Sequence, residues 1–176
     1  MGVHAFVDEA KRPGYLIVAA LVSPTDLADA RRALRSLLLG NQRRIHFKDE
    51  REARKRQILK VVVGLPLTVR VYACATSPSE LEARRACLRQ LIPDLAAVGA
   101  ARLVIERDDS LLVHDRQTLY DAVEKAGCRY TLTYQHLRAY EETLLWAADT
   151  VAWCWSHGTG WQRHVQAIVE QIIEVG

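Results

Sequence analysis

Residues 15–22, YLIVAALV, form an unbroken apolar run of the kind found in strands that are covered on both faces. A second strand-like segment, VHAFVD at residues 3–8, comes before it, and the connection contains Arg12-Pro13-Gly14. Two extended segments joined by a Pro-Gly turn predict an antiparallel hairpin. Because the second strand has no polar face, we expect other elements to cover the sheet on both sides.

Beyond residue 22, helix-like and strand-like segments alternate. Helices are predicted over residues 27–38, 49–63, 77–98 and 114–127, and strands over residues 67–75, 101–109 and 128–136. The last third, from Glu141, is predicted to be helical with a break at Gly158-Thr159-Gly160. The sequence therefore predicts a single α/β domain over residues 1–176. Its mixed sheet is antiparallel at the start and parallel later, and residues 158–176 form a C-terminal helical extension.

The charge is unevenly distributed although the net charge is only +3. Residues 31–60 contain eleven of the 24 Lys and Arg residues against three acids, so the rest of the chain is net negative. This pattern indicates either a binding face for a polyanion or a solvated face of Arg-rich helices. No apolar run reaches the roughly 18 residues of a membrane span, and no secretory leader is recognisable. Four scattered cysteines favour the reducing cytoplasm.

Asp149 is the acidic residue that most needs an explanation. It lies within LLWAADTVAWCW at residues 144–155, a segment with no other charge. Burial of an ionised carboxylate costs on the order of several kcal/mol unless the group is paired or binds a metal. One interpretation is an N-cap, with one helix ending near Ala147 and another beginning at Thr150. The other interpretation is a carboxylate that faces a partner elsewhere in the fold.

Other acids lie at the ends of predicted elements. They are Asp8, Glu106, Asp108, Asp49 and Glu50. Each of them alone is compatible with an ordinary polar turn. Together with Asp149, they predict carboxylates that converge from separate elements and repel one another unless a cation lies between them. Oxygen ligands suit Mg²⁺, and two such ions about 4 Å apart can promote phosphodiester hydrolysis.

Three segments, in order, resemble a bacterial family of unknown function with a predicted RNase H-like fold. FVDEAKRPG resembles the family's Asp-Glu-Ser-Gly stretch, RIHFKDE its His segment before a charged helix, and LLWAADTVAW its late Ala-Asp helix. The resemblance covers residues 3 to about 157 and implies an RNase H-like sheet whose acids bind divalent metal for nucleic-acid cleavage. It implies Asp8 as the first-strand acid, Glu106 or Asp108 as the central-strand acid, and Asp149 as the late-helix acid. Arg44 departs from the family, which often has Glu there, as does Ala10, where Ser is usual.

The leading hypothesis is a nuclease that acts on DNA or RNA with Mg²⁺ or Mn²⁺ as its cofactor. Asp8, Glu106 and Asp149 would hold the metal, with Asp108 as a further ligand and Asp49 or Glu50 as the fourth catalytic acid. His46 and Lys48 would contact or polarise the scissile phosphate. The residues expected to steer the nucleic-acid backbone are Arg43, Arg44, Arg51 and Arg54, together with Lys48.

Two other functions remain open at this point. One is a non-catalytic RNase H-like module that binds nucleic acid or protein with a degenerate site. The other is a structural or assembly protein, for which a homodimer contact would use an apolar stripe on the C-terminal helix. That stripe consists of Val165, Ile168, Val169, Ile172 and Ile173.

Overall fold

The chain forms a six-stranded mixed sheet with helices on both faces. A computed structural model describes residues 2–176. The strands are β1 (His4–Ala10), β2 (Tyr15–Val22), β3 (Leu67–Cys74), β4 (Arg102–Glu106), β5 (Thr133–Leu137) and β6 (Val169–Glu174). The helices are α1 (Leu27–Arg35), α2 (Glu52–Val63), α3 (Glu80–Ala97), α4 (Leu112–Lys125), α5 (Leu144–Ser156) and α6 (Thr159–Val165). Within residues 2–176, no helix combines the length and the apolar character needed to cross a membrane.

The strand order is β5-β4-β1-β2-β3-β6. β2 is antiparallel to both β1 and β3, whereas β1 with β4, β4 with β5, and β3 with β6 are parallel pairs. Every residue of β2 is buried, as its unbroken apolar sequence predicts. The predicted α/β fold, with an N-terminal antiparallel hairpin and a mixed sheet, is confirmed.

The sheet separates two apolar cores. Phe6 of β1 packs in the core formed with α1, α2, α5 and α6, whereas Ala5 and Val7 pack in the core formed with α3 and α4. Full burial of a side chain such as Phe6 contributes about 1.5–3 kcal/mol. Because successive side chains of a strand point to opposite faces, Asp8 lies on the α5 side and Glu9 on the α3 side. The two neighbouring acids therefore enter different environments.

The end of the chain corrects the prediction of a helical extension over residues 158–176. Helix α6 ends at Val165, and residues 169–174 are a strand that pairs in parallel with β3. In the predicted stripe, Ile168 is buried but Ile172 is exposed, which is not the pattern of a single helix face. The segment gains main-chain hydrogen bonds at the otherwise open edge of β3, a tertiary partner that local periodicity does not reveal.

Several other boundaries also differ from the prediction, and for example β4 ends at Glu106 rather than at residue 109. β5 begins at Thr133 rather than at residue 128, because the amides of Thr131 and Leu132 fold back onto the carbonyl of Cys128 in a turn. Helix α1 ends at Arg35 rather than at residue 38. These shifts change the lengths of the elements without changing their order.

A buried ionic network fixes the end of β1 to α3 and α4. Arg84 donates two hydrogen bonds to Asp115, at 2.7 and 2.8 Å, and a third to Glu9. Tyr15 donates to Glu9, and the Nε2 atom of His136 lies 2.9 Å from Asp115. Arg84 and Asp115 are both almost fully buried. The network thus gives Glu9 a buried cation, Arg84, as its partner.

We expect Arg84→Ala to lower the free energy of unfolding by about 3–5 kcal/mol, because it leaves buried carboxylates without their cation. The neighbouring Arg85, whose pair with Glu82 is partly exposed, is the matched control. Arg85→Ala should cost less than about 1 kcal/mol. Urea unfolding followed by circular dichroism measures both values. Similar losses for the two variants would contradict the structural role of Arg84.

Candidate active site

Parallel pairing of β1 with β4 brings Asp8 beside Glu106. The register pairs Val7 with Ile105, so the next residue on each strand lies at the same carboxyl-terminal edge of the sheet. Alongside burial, the charge of Glu106 raises the pKa of Asp8, as repulsion between neighbouring carboxylates does. The strand register therefore creates a carboxyl pair.

Helix α5 adds a third carboxylate. It is continuous from Leu144 to Ser156, so Asp149 lies inside the helix, and the N-cap interpretation is wrong. The Oδ2 atom of Asp149 accepts a hydrogen bond from the Phe47 amide at 2.8 Å. The charge of Asp149 also acts on Asp8. The carboxylate cluster, as we call Asp8, Glu106 and Asp149, thus comes from three separate elements.

Burial and mutual repulsion disfavour full ionisation of the carboxylate cluster. Burial, followed by the charges of Asp149 and Glu106, raises the pKa of Asp8 well above its ordinary value. Burial also raises the pKa of Asp149, against the opposing effects of the Phe47 amide and the charge of His46. Acids with raised pKa values that meet in a cleft are typical of functional sites.

Arg44 supplies positive charge to the carboxylate cluster. Its Nη1 atom lies 3.1 Å from Oε1 of Glu106, and its charge lowers the pKa of Asp149, against the raising effect of burial. The Nε atom of Arg44 is buried and finds no hydrogen-bond partner within residues 2–176. The departure noted in the sequence, Arg in place of Glu, therefore puts a cation next to the acids.

The donor chemistry of the carboxylate cluster fits a hard divalent cation, because all three members offer carboxylate oxygens. In their present positions, however, no three or more His, Cys, Asp or Glu side chains of residues 2–176 are arranged to hold a metal ion. Glu106 is paired with Arg44. Metal binding would therefore require Glu106 to exchange Arg44 for the ion.

Both candidates for the fourth acid have partners close to them in the chain. Glu50 accepts a hydrogen bond from Gln42 at 3.0 Å and lies 3.5 Å from the Nε atom of Arg54. Asp49 pairs with the Nδ1 atom of His46 at 2.8 Å. Helix α2 begins at Glu52, so both acids lie in the turn before it and are engaged locally. Glu50 as a fourth catalytic acid stays a prediction, and His46 is held beside the cluster by Asp49.

Asp108 lies on the loop after β4. Its carboxylate accepts hydrogen bonds from the amide and the hydroxyl of Ser110, which lower its pKa. It lines the same cavity as Asp8 and Glu106. These contacts make it a loop-stabilising acid at the edge of the cluster.

The basic residues expected to bind nucleic acid fall into two groups. Arg54 is largely buried and donates to a backbone carbonyl in the segment after α1, so its proposed contact with phosphate is corrected to a structural role. The Arg43 guanidinium lies over the Tyr140 ring, 4.4 Å from its centroid. Arg51 and Lys48 are exposed. Arg43, Arg51 and Lys48 remain available to an approaching anion.

Two cavities border the carboxylate cluster. The β4 cavity, of about 450 Å³, is lined by Asp8 and Glu106. The α5 cavity, of about 410 Å³, is lined by Asp149. Glu9 lines both cavities. A chain-like ligand lying across the two would therefore pass the three carboxylates.

The sequence interpretation missed the Arg84 network. Arg84 shares a helix face with Cys87, Leu88 and Leu91, which are all buried. An Arg at spacings of three, four and seven from apolar residues is a signal for a buried cation that needs acidic partners. Applied to α3, that signal identifies Arg84.

No family model matches the chain, and no curated protein matches it. The RNase H-like family remains a prediction from the sequence segments.

The raised pKa of Asp8 has a measurable consequence for stability. The folded chain binds more protons than the unfolded chain between the ordinary and the raised pKa of Asp8. The contribution of Asp8 to the free energy of unfolding therefore falls as the pH rises through that interval. Asp8→Asn, which keeps an acceptor for the Glu9 amide, should be more stable than the natural chain at neutral and higher pH.

Urea unfolding at about pH 5 and about pH 8 tests this expectation, because the gain from Asp8→Asn should be larger at the higher pH. Asp121→Asn, at an exposed position on α4, is the control and should show no such gain. A loss of stability in Asp8→Asn at the higher pH would contradict the repulsion between the carboxylates.

Proposed function

We propose that this protein is a divalent-metal-dependent nuclease that hydrolyses phosphodiester bonds of DNA or RNA, with Mg²⁺ or Mn²⁺ as its cofactor. The observation that carries the proposal is the convergence of Asp8, Glu106 and Asp149 from β1, β4 and α5. Carboxylates brought together against their own repulsion gain most from a cation that binds between them. Exposed basic side chains beside the acids suit a polyanionic substrate.

Each residue then has a defined task. Asp8, Glu106 and Asp149 would hold the metal, whose charge would offset their mutual repulsion. A bound divalent ion would supply an activated water and stabilise the leaving oxygen. His46, held through Nδ1 by Asp49, would contact or polarise the scissile phosphate. Lys48, which lines the α5 cavity, would offset the negative charge of that phosphate.

The remaining sequence predictions extend the proposal. Arg43 and Arg51 steer the nucleic-acid backbone through their exposed charges. The cytoplasm is the proposed location, because the four cysteines lack the spacing of a disulfide framework. A homodimer stays a prediction, and the helical stripe first considered for it does not form.

A second candidate function is favoured by the Arg44–Glu106 ion pair. In that reading Arg44 permanently takes the place of a metal, and the fold serves as a non-catalytic module that binds nucleic acid. Such a module would bind with a negative slope of log affinity against log salt and would form no cleavage products. It would also bind without any requirement for Mg²⁺ or Mn²⁺.

We expect the natural chain to cleave labelled DNA or RNA when Mg²⁺ or Mn²⁺ is added. Asp8→Asn and Asp149→Asn should each lower the rate by more than about 100-fold, the upper range for loss of a group outside the metal's direct ligands. Gel analysis of products measures the rates, and circular dichroism checks folding. Asp121→Asn is the matched control and should cleave like the natural chain. Undiminished cleavage by both site variants would refute this assignment.

We expect Arg44→Gln to bind Mn²⁺ several-fold more tightly than the natural chain, because the variant removes a cation that repels the ion. Two unit charges about 4 Å apart interact with an energy of about 1–4 kcal/mol near a protein surface. Isothermal titration calorimetry with Mn²⁺ measures the change. Arg43→Gln removes the neighbouring charge, which lies over Tyr140, and is the control. Equal affinities in Arg44→Gln and the natural chain would contradict the view that Arg44 competes with the ion.

A further inference from the structure

A stacked pair of rings borders the α5 cavity. Trp153 and His157 lie nearly parallel, with centroids 3.8 Å apart and planes 12° apart. The Nδ1 atom of His157 lies 2.7 Å from the Trp153 carbonyl oxygen, which only accepts, so Nδ1 donates. We call these two rings the aromatic platform. The hydrogen bond fixes the orientation of its outer ring, His157.

The inner ring of the aromatic platform is held from several sides. Phe47 and Trp161 meet Trp153 edge-on, with centroid distances of 5.2 and 4.9 Å. The Nζ atom of Lys55 lies 4.9 Å from the centroid of the Trp153 ring. Trp153 is therefore packed in place, while His157 is exposed and borders the cavity. A flat ligand can reach His157 without rearranging the core.

The same cavity carries charge suited to a phosphate. Arg12 and Lys48 line it and are exposed. Lys11 also lines it, but it lies near Glu9 and Glu80 and is partly neutralised by them. Exposed cations beside an aromatic ring are the combination that binds single-stranded nucleic acid, whose bases stack and whose backbone is anionic.

We propose that the α5 cavity binds one nucleotide of single-stranded nucleic acid, with its base stacked on His157 and its phosphate held by Arg12 and Lys48. A base within a duplex cannot offer its face to a protein ring, so the substrate is single-stranded at this point. The volume of about 410 Å³ lies within the range of small-molecule sites. The inference rests on the proposed function in one respect, because the bound nucleotide adjoins Asp149.

The test is binding in the presence of EDTA, which prevents cleavage. Fluorescence anisotropy compares a labelled single strand with the duplex of the same sequence, in DNA and RNA forms. We expect tighter binding of the single strand and an approximately 10-fold loss in His157→Ala, within the range for one stacked base. His157→Phe should restore binding, since it retains a ring. Lys48→Ala should make the salt dependence shallower by about 0.7, as expected for one lost phosphate contact.

His114→Ala is the matched control, because His114 is also exposed but lies on α4 beside Arg85. Unchanged binding in His157→Ala, or equal affinity for the duplex, would overturn the inference. Binding that depends on His157 without cleavage in Mg²⁺ would support this nucleotide site and overturn the nuclease. Cleavage in Mg²⁺ that does not depend on His157 would support the nuclease and overturn this nucleotide site. Absence of any nucleic-acid binding would overturn both.

Discussion

The register between β1 and β4 is the constraint on which the rest of the site depends. Pairing Val7 with Ile105 forces the next side chains, Asp8 and Glu106, to the same sheet edge. Two neighbouring acids cannot both ionise at low cost, so a proton or a cation must accompany them. Arg44, which pairs with Glu106, meets part of this demand. After burial, the charge of Asp149 on α5 raises the pKa of Asp8 further, so the need for a compensating cation grows.

Two neighbouring acids on β1 show how differently the faces of one strand are treated. Glu9 faces Arg84, whose two carboxylate partners and buried position make a completed ionic network. Asp8 faces other acids, and its own raised pKa means that ionisation costs the fold stability. A completed network stabilises the end of the strand. The acids around Asp8, a single residue away, lack enough positive charge to balance them. This arrangement is expected of a binding site, where the missing positive charge arrives with the ligand.

The sequence predicted those features that depend on local pattern. The hairpin, the fully buried β2 and the isolation of Asp149 follow from residue type and spacing. The strand at residues 169–174 was missed because its only support is the edge of β3, far away in the chain. The partners of Glu50 were not predicted either, since they are fixed by where α2 begins. Spacing along the chain identifies candidate acids, but only tertiary packing decides which of them meet.

Helix α5 links the chemistry to recognition. Asp149 and Trp153 lie four residues apart on one face of α5, and His157, four residues further on, immediately follows the last residue of that helix. At 1.5 Å per residue, the Cα atoms of Asp149 and Trp153 are about 6 Å apart along the helix axis. The packing of Trp153 against Phe47 therefore orients both ends, since the amide of Phe47 also holds Asp149. The segment of His46 and Phe47 thus connects the carboxylate cluster to the aromatic platform. A nucleotide stacked on His157 would therefore have a fixed position relative to the three acids.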